Sequence, residues 1–144
     1  MDAYNVSFTI KDVNNMVSPD GGVINPLVVV RCAGQEYRTE IKYEKLGLVN
    51  FDEAHSWPNL VMPQQSFDQA VIEFELQSAN AFWANTTIGL AAIQLRSVKN
   101  RGNHTLSGYV PLIGINESKT TGNLNLTLSV LGPGDVLRVE EENQ

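Results

Sequence analysis

The chain has a single cysteine, Cys32, in 144 residues, so it has neither a disulfide framework nor a cysteine-based zinc site. A lone cysteine in a valine-rich run is expected to be a small buried hydrophobe, not a nucleophile. Histidine is almost as scarce. His55 and His104 each stand alone beside a strand-forming stretch, with no nucleophile partner in the sequence around them. Basic residues are in deficit: 10 Lys and Arg against 16 Asp and Glu give a net charge of −6. That balance argues against a general nucleic-acid binder, because phosphate contacts need a basic surface. No stretch approaches the roughly 18 apolar residues of a spanning helix. Residues Met1 to Phe8 carry neither the basic nor the apolar region of a signal peptide, so a cytoplasmic protein is expected. No glycine-rich phosphate loop runs from a strand into a helix, and no useful segment has a helical period. Asp52 and Glu53 are adjacent on a strand-like segment and so point to opposite faces. No enzymatic activity and no cofactor are expected.

What is present alternates with a period of two. Tyr4, Val6, Phe8 and Ile10 lie on one side of a half-buried strand. Lys11 to Asn25 is rich in turn residues and reads as a long loop. Pro26 to Arg31 is a β-branched run expected of an interior strand, with proline at its first position. A tight turn at Ala33–Gln35 leads to a second alternating stretch, Glu36 to Tyr43, and Phe51 to Trp57 reads as a short strand ending at Pro58. Further strands are expected at Ala70–Leu76, Thr87–Leu95, Leu106–Ile113 and Asn123–Val130, the third placed at a sheet edge by Pro111. Glu73 and Glu75 face outward in this reading. About eight strands at sandwich-like spacing give an all-β, eight-stranded antiparallel β-sandwich. One domain spans 1–135, and 136–144 is expected to be an acidic, disordered tail. Five Asn-x-Ser/Thr triplets, at Asn5, Asn85, Asn103, Asn116 and Asn125, are read as incidental in a chain without a signal peptide.

Several segments, in order, resemble a C2 domain. Asn25-Pro26-Leu27-Val28-Val29-Val30 falls where C2 domains carry an Asp-Pro-Tyr-Val sequence, and Asn50 to Glu53 matches the start of the fourth strand. Phe74 to Gly89 lines up without gaps against the third C2 loop and its Ile-Gly exit. Two segments are similar to ferlins: Asn25 to Lys42, through the turn at Ala33-Gly34-Gln35 into Arg38-Thr39, and Gly122 to Asp135, with its Gly132-Pro133-Gly134-Asp135 ending. The loops depart from those of animal ferlins, which points to a divergent, protist member. The resemblance implies type II C2 topology. It also implies one domain of a large protein acting in membrane trafficking, vesicle fusion or exocytosis, peripheral on the cytosolic face of vesicles or the plasma membrane.

Calcium takes about six to eight oxygens, and affinity follows the number of carboxylates. The C2 resemblance puts the calcium-binding positions at Asp20, Asn25, Ser78, Asn80 and Thr86, of which only Asp20 is acidic. No functional calcium site is expected. The same loops carry Met16, Val17, Phe82 and Trp83, with Val23 and Ile24 as further candidates, and tryptophan favours the headgroup level of a bilayer. Calcium-independent insertion into a phospholipid membrane is one reading. The other is a protein-interaction module with no direct lipid binding, in which Phe82 and Trp83 meet a partner or pack back on the loops. A basic face of Arg38, Lys42 and Lys45 is a second candidate lipid surface, diluted by Glu40 and Glu44. Arg96, Lys99 and Arg101 read as a solvated cluster.

Overall fold

The computed structural model describes residues 1–115 and 119–138, so residues 139–144 of the expected tail and the triplet at Asn116 lie outside the described residues. The strands are β1 Asp2–Asn14, β2 Pro26–Cys32, β3 Gln35–Arg38, β4 Val49–Met62, β5 Val71–Ser78, β6 Thr86–Gln94, β7 Thr105–Ile113 and β8 Thr120–Leu131. Two short helices, α1 Gln64–Gln69 and α2 Leu95–Lys99, and a 3-10 turn at Gly102–His104 lie between them. The hydrogen-bonded order is β3-β2-β5-β6-β7-β8-β1-β4, all neighbours antiparallel. Between β6 and β7 the ladder is one pair, Leu90 opposite Ile113. The sheet therefore divides into two four-stranded leaves, β3-β2-β5-β6 and β7-β8-β1-β4. They face each other across the core, where Phe8 of β1 meets Phe74 of β5 edge to face at 5.9 Å. This is the expected eight-stranded C2-type sandwich. The long first loop leaves β1 itself and the last strand, β8, lies beside β1, which is the type II arrangement.

The alternating residues land where the period of two puts them: Tyr4, Val6, Phe8 and Ile10 are buried, as are Leu124, Leu126, Leu128 and Val130. Pro111 lies on β7, whose edge away from β8 is unpaired apart from the one pair at Ile113.

Several boundaries differ from those expected. β4 does not stop at Pro58 but continues to Met62. Val6 pairs with Trp57 and Tyr4 with Leu60, so Pro58 sits in a bulge on an edge strand and its missing N–H breaks no ladder bond. β3 ends at Arg38 instead of continuing to Tyr43, because Thr39 diverts the ladder: its hydroxyl accepts the Val28 N–H (2.9 Å) and donates to the Glu40 carbonyl (3.0 Å). The two helices were not expected. At six and five residues they are too short to show a period, and they serve to seat Phe67, Leu95 and Val98 in the core. Phe67 stacks on Tyr4 with ring centroids 4.0 Å apart. Beyond residue 135 the paired chain continues: the Arg138 N–H donates to Asn103 Oδ1 (2.7 Å) and Asn103 Nδ2 donates to the Arg138 carbonyl (2.9 Å).

Candidate functional site

Three loops and a turn gather at one end of the sandwich: residues 15–25 between β1 and β2, 39–48 between β3 and β4, 79–85 between β5 and β6, and the β7–β8 turn after Ile113. Backbone bonds knit them together. The Met16 N–H donates to the Gly47 carbonyl (2.9 Å), and the Val17 N–H to the Thr121 carbonyl (2.9 Å). Ile24 and Lys45 exchange two bonds at 3.0 and 2.9 Å.

Between the first and third loops lies a cleft of about 260 Å³, and Asp20, Asn25, Ser78, Asn80 and Thr86 all line it. The fold thus brings the expected positions together, around a single carboxylate. Asp20 supplies the one carboxylate of this lining. Its Oδ1 already accepts the Gly22 N–H (2.9 Å) and the Ser18 hydroxyl (3.0 Å), and these two bonds hold its carboxyl below the usual range. Asn80 points its amide nitrogen, a donor, at the Ala84 carbonyl (2.7 Å) and at Thr86 Oγ1 (3.1 Å). Ser78 Oγ accepts the Asn25 N–H (3.1 Å), and Asn25 Oδ1 accepts the Glu44 N–H (3.0 Å). Among the described residues no group of three or more His, Cys, Asp or Glu could hold a metal ion.

The apolar residues divide in two. Phe82 and Trp83 stand out at the tip of the third loop, 88% and 74% exposed, with ring centroids 6.4 Å apart and tilted. Val17 and Val23 are also exposed. Met16 is not a surface residue: it is 8% exposed and belongs to the core cluster, with its backbone held at Gly47. Ile24 is buried in the same way, by the pairing with Lys45. Alternation along the first loop, one side chain in and the next out, separates Met16 from Val17 and Ile24 from Val23. Leu46 and Leu48, flanking Gly47, and Ile115 in the β7–β8 turn are exposed at the same end and were not expected there. The sequence signal was present: apolar residues inside segments otherwise composed of turn residues.

The basic face does not form as expected. With β3 ending at Arg38, Lys42 and Lys45 lie on the second loop and not on a shared strand face. Arg38 Nε pairs with Glu36 at 3.2 Å and Lys42 Nζ with Glu40 at 3.4 Å, so two of the three charges are matched locally. Glu75 also departs from expectation: on the outer face of β5 it is only 9% exposed, covered by Arg31 Nη1 (2.6 Å) and the Thr87 hydroxyl (2.5 Å). Burial pushes its carboxyl up, but the bonds from Thr87, Arg31 and Gln77, together with the charge of Arg31, leave it below the usual range. In the 96–101 cluster, Lys99 pairs with Asp135 at 3.2 Å and Arg101 Nε donates to the Thr105 carbonyl. The histidines have ordinary packing partners: His55 stacks on Tyr37 with centroids 4.5 Å apart, and His104 Nδ1–H donates to the Lys99 carbonyl (2.6 Å).

No protein-family profile matches the chain. In sequence it is similar to Ferlin 2 of Toxoplasma gondii, 42% identical over 132 residues, which is 92% of this chain and 9% of that protein. In fold it is similar to the paired C2 domains of Extended-Synaptotagmin 2, with a TM-score of 0.72 at 13% identity over 98% of this chain and 42% of that one. A single C2 domain of plant Extended Synaptotagmin 1 gives a TM-score of 0.68 at 14% identity, covering 97% of this chain and 99% of that one. Human GIVD cytosolic phospholipase A2 gives 0.70 at 10% identity over 92% of this chain and 17% of the enzyme. At these identities the structural likenesses bear on the fold alone. No helix among the described residues is long and apolar enough to cross a membrane.

Proposed function

We propose that this ferlin-like C2 domain docks on a phospholipid bilayer through its loop end, without calcium. It does so as one domain of a larger protein in vesicle trafficking, fusion or exocytosis, on the cytosolic face of a vesicle or the plasma membrane. The observation that carries this reading is the convergence of Val17, Leu46, Leu48, Phe82, Trp83 and Ile115, all exposed, at one end of the sandwich. A cluster of this kind marks an interface, and an aromatic pair at a loop tip suits the interfacial layer of a bilayer. The cleft beside it has one carboxylate, so it presents little repulsion to anionic lipid and little to attract a divalent ion. The pairing of Arg38 and Lys42 with glutamates makes hydrophobic insertion the larger contribution. Fully burying a large apolar side chain is worth about 1.5–3 kcal/mol, so Phe82 and Trp83 together supply several kcal/mol even when partly inserted. Nothing in this reading calls for catalysis, a cofactor or nucleic acid.

Liposome co-sedimentation tests it. Wild type should pellet with anionic vesicles equally with calcium or chelator, and should stay bound at high salt, where charge steering is screened. Phe82→Ala/Trp83→Ala should lose at least tenfold in partitioning. Binding that needs calcium would overturn the metal-free reading. Wild type that fails to bind under either condition would leave the loop end as a docking surface for a protein partner.

A further inference from the structure

Resting on the membrane-docking reading for its functional consequence, we propose that Asn25 is the positioning residue of the loop end: its amide cross-links all three loops where a C2 calcium site would use a bridging cation. Four hydrogen bonds meet at this residue. Its N–H donates to Ser78 Oγ (3.1 Å) and its carbonyl accepts the Ala79 N–H (2.9 Å), carrying the β2–β5 pairing to the base of the third loop. Its side chain then joins two further backbone groups: Nδ2 donates to the Ala79 carbonyl (3.2 Å), and Oδ1 accepts the Glu44 N–H (3.0 Å) from the second loop.

The partners dictate the residue type. A backbone carbonyl can only accept and a backbone N–H can only donate, so the side chain needs one donor and one acceptor on a single planar carbon. Asparagine has that pair. An ionised aspartate has two acceptors, and one of them would face the Ala79 carbonyl oxygen. The substitution that removes the carboxylate from this corner of the cleft therefore also makes the clamp possible. Ala79 opens the loop whose tip holds Phe82 and Trp83, and Glu44 lies just before Leu46 and Leu48. The clamp consequently sets the spacing between the apolar residues of the second and third loops, with the Ile24–Lys45 pair bracing the first loop beside it.

The test is amide hydrogen exchange on the full 144-residue chain, free of lipid, comparing wild type, Asn25→Asp and Asn25→Ala. At pH 7 both variants should exchange about tenfold faster across 42–47 and 79–85, while the β1 and β8 amides keep wild-type protection and report an intact sandwich. Millimolar calcium should not slow either variant. For Asn25→Asp the gap to wild type should close as the pH falls toward about 4. The facing Ala79 carbonyl favours protonation of the introduced carboxyl and the Glu44 N–H opposes it, and once protonated that carboxyl again offers a donor. Asp20 and Glu44, the other acids on the first and second loops near this clamp, are common to both proteins and cancel in the comparison. For Asn25→Ala the gap should persist. Wild-type exchange in Asn25→Asp at pH 7, no closing at low pH, or restoration by calcium would each overturn the clamp. Vesicle binding separates the two readings. If wild type does not bind anionic vesicles while the exchange pattern holds, the clamp stands and membrane docking falls. If wild type and Asn25→Asp bind equally despite loosened loops, the positioning role is overturned.

Discussion

Tyr37 shows how one residue ties the two leaves together. Its ring lies against Phe8 of the opposite leaf and stacks on His55, and its hydroxyl donates to Glu53 Oε1 of β4 at 2.5 Å. Glu53 Oε2 accepts the Glu40 N–H (2.9 Å), so the same carboxylate holds both the edge strand β3 and the start of the second loop. Burial, and then the bond to Glu53, push the Tyr37 phenol up to about 12. The sign follows: a phenol with a raised folded pKa adds stability that is complete below its ordinary value near 10 and is lost as the pH climbs through 12. Tyr37→Phe should therefore lose about 1–2 kcal/mol at pH 7. Its urea midpoint should also fall less between pH 10 and 12 than that of wild type, as read by chemical denaturation at stepped pH.

At the scale of elements, two positions decide how strands end and cross. Thr39, buried at the end of β3, spends its hydroxyl on the Val28 N–H, and that bond turns an alternating sequence into the second loop. Thr39→Val keeps the shape but orphans a buried donor, and should cost about 1–3 kcal/mol by urea denaturation. Gly89 lies where β6 passes tightly against β7 and β8 of the opposite leaf. A Cβ there would collide with the Thr121 hydroxyl and come to 3.0 Å of Leu112 Cβ. Gly89→Ala should lower stability by about 1–3 kcal/mol through overpacking, seen as a lower thermal midpoint. Since the Thr121 carbonyl accepts the Val17 N–H, this substitution should also disturb the first loop, whereas Tyr37→Phe should leave it alone.

Over the whole molecule, the two ends of the sandwich carry different roles. At one end sit the loops with exposed apolar side chains and the cleft whose calcium positions are neutral apart from Asp20. At the other, α1 and α2 close the core with Phe67, Leu95 and Val98, and the Gly132–Asp135 turn is held to α2 by Lys99. A net charge of −6 with the nearby basic residues largely paired predicts that vesicle binding depends on the apolar end and weakly on salt. The chain covers 9% of the length of its Toxoplasma relative.

Period-two alternation, proline at the start of β2 and the absence of helical period were enough to specify an all-β sandwich, because side-chain direction along a strand is a local property of the backbone. The C2 likeness, the lack of carboxylates at the calcium positions other than Asp20 and the place of Phe82 and Trp83 at a loop tip were also legible, since each is a statement about residue type at a place in order. What only the tertiary structure decided depends on partners distant in sequence. Met16 turns inward because Gly47 holds its backbone, β3 stops because Val28 claims the Thr39 hydroxyl, and Glu75 is covered because Arg31 and Thr87 reach it from neighbouring strands. Asn25 belongs to both. Its identity was plain in the sequence as a missing carboxylate, and its part as a clamp exists only once folding sets Ala79 and Glu44 on either side of its amide.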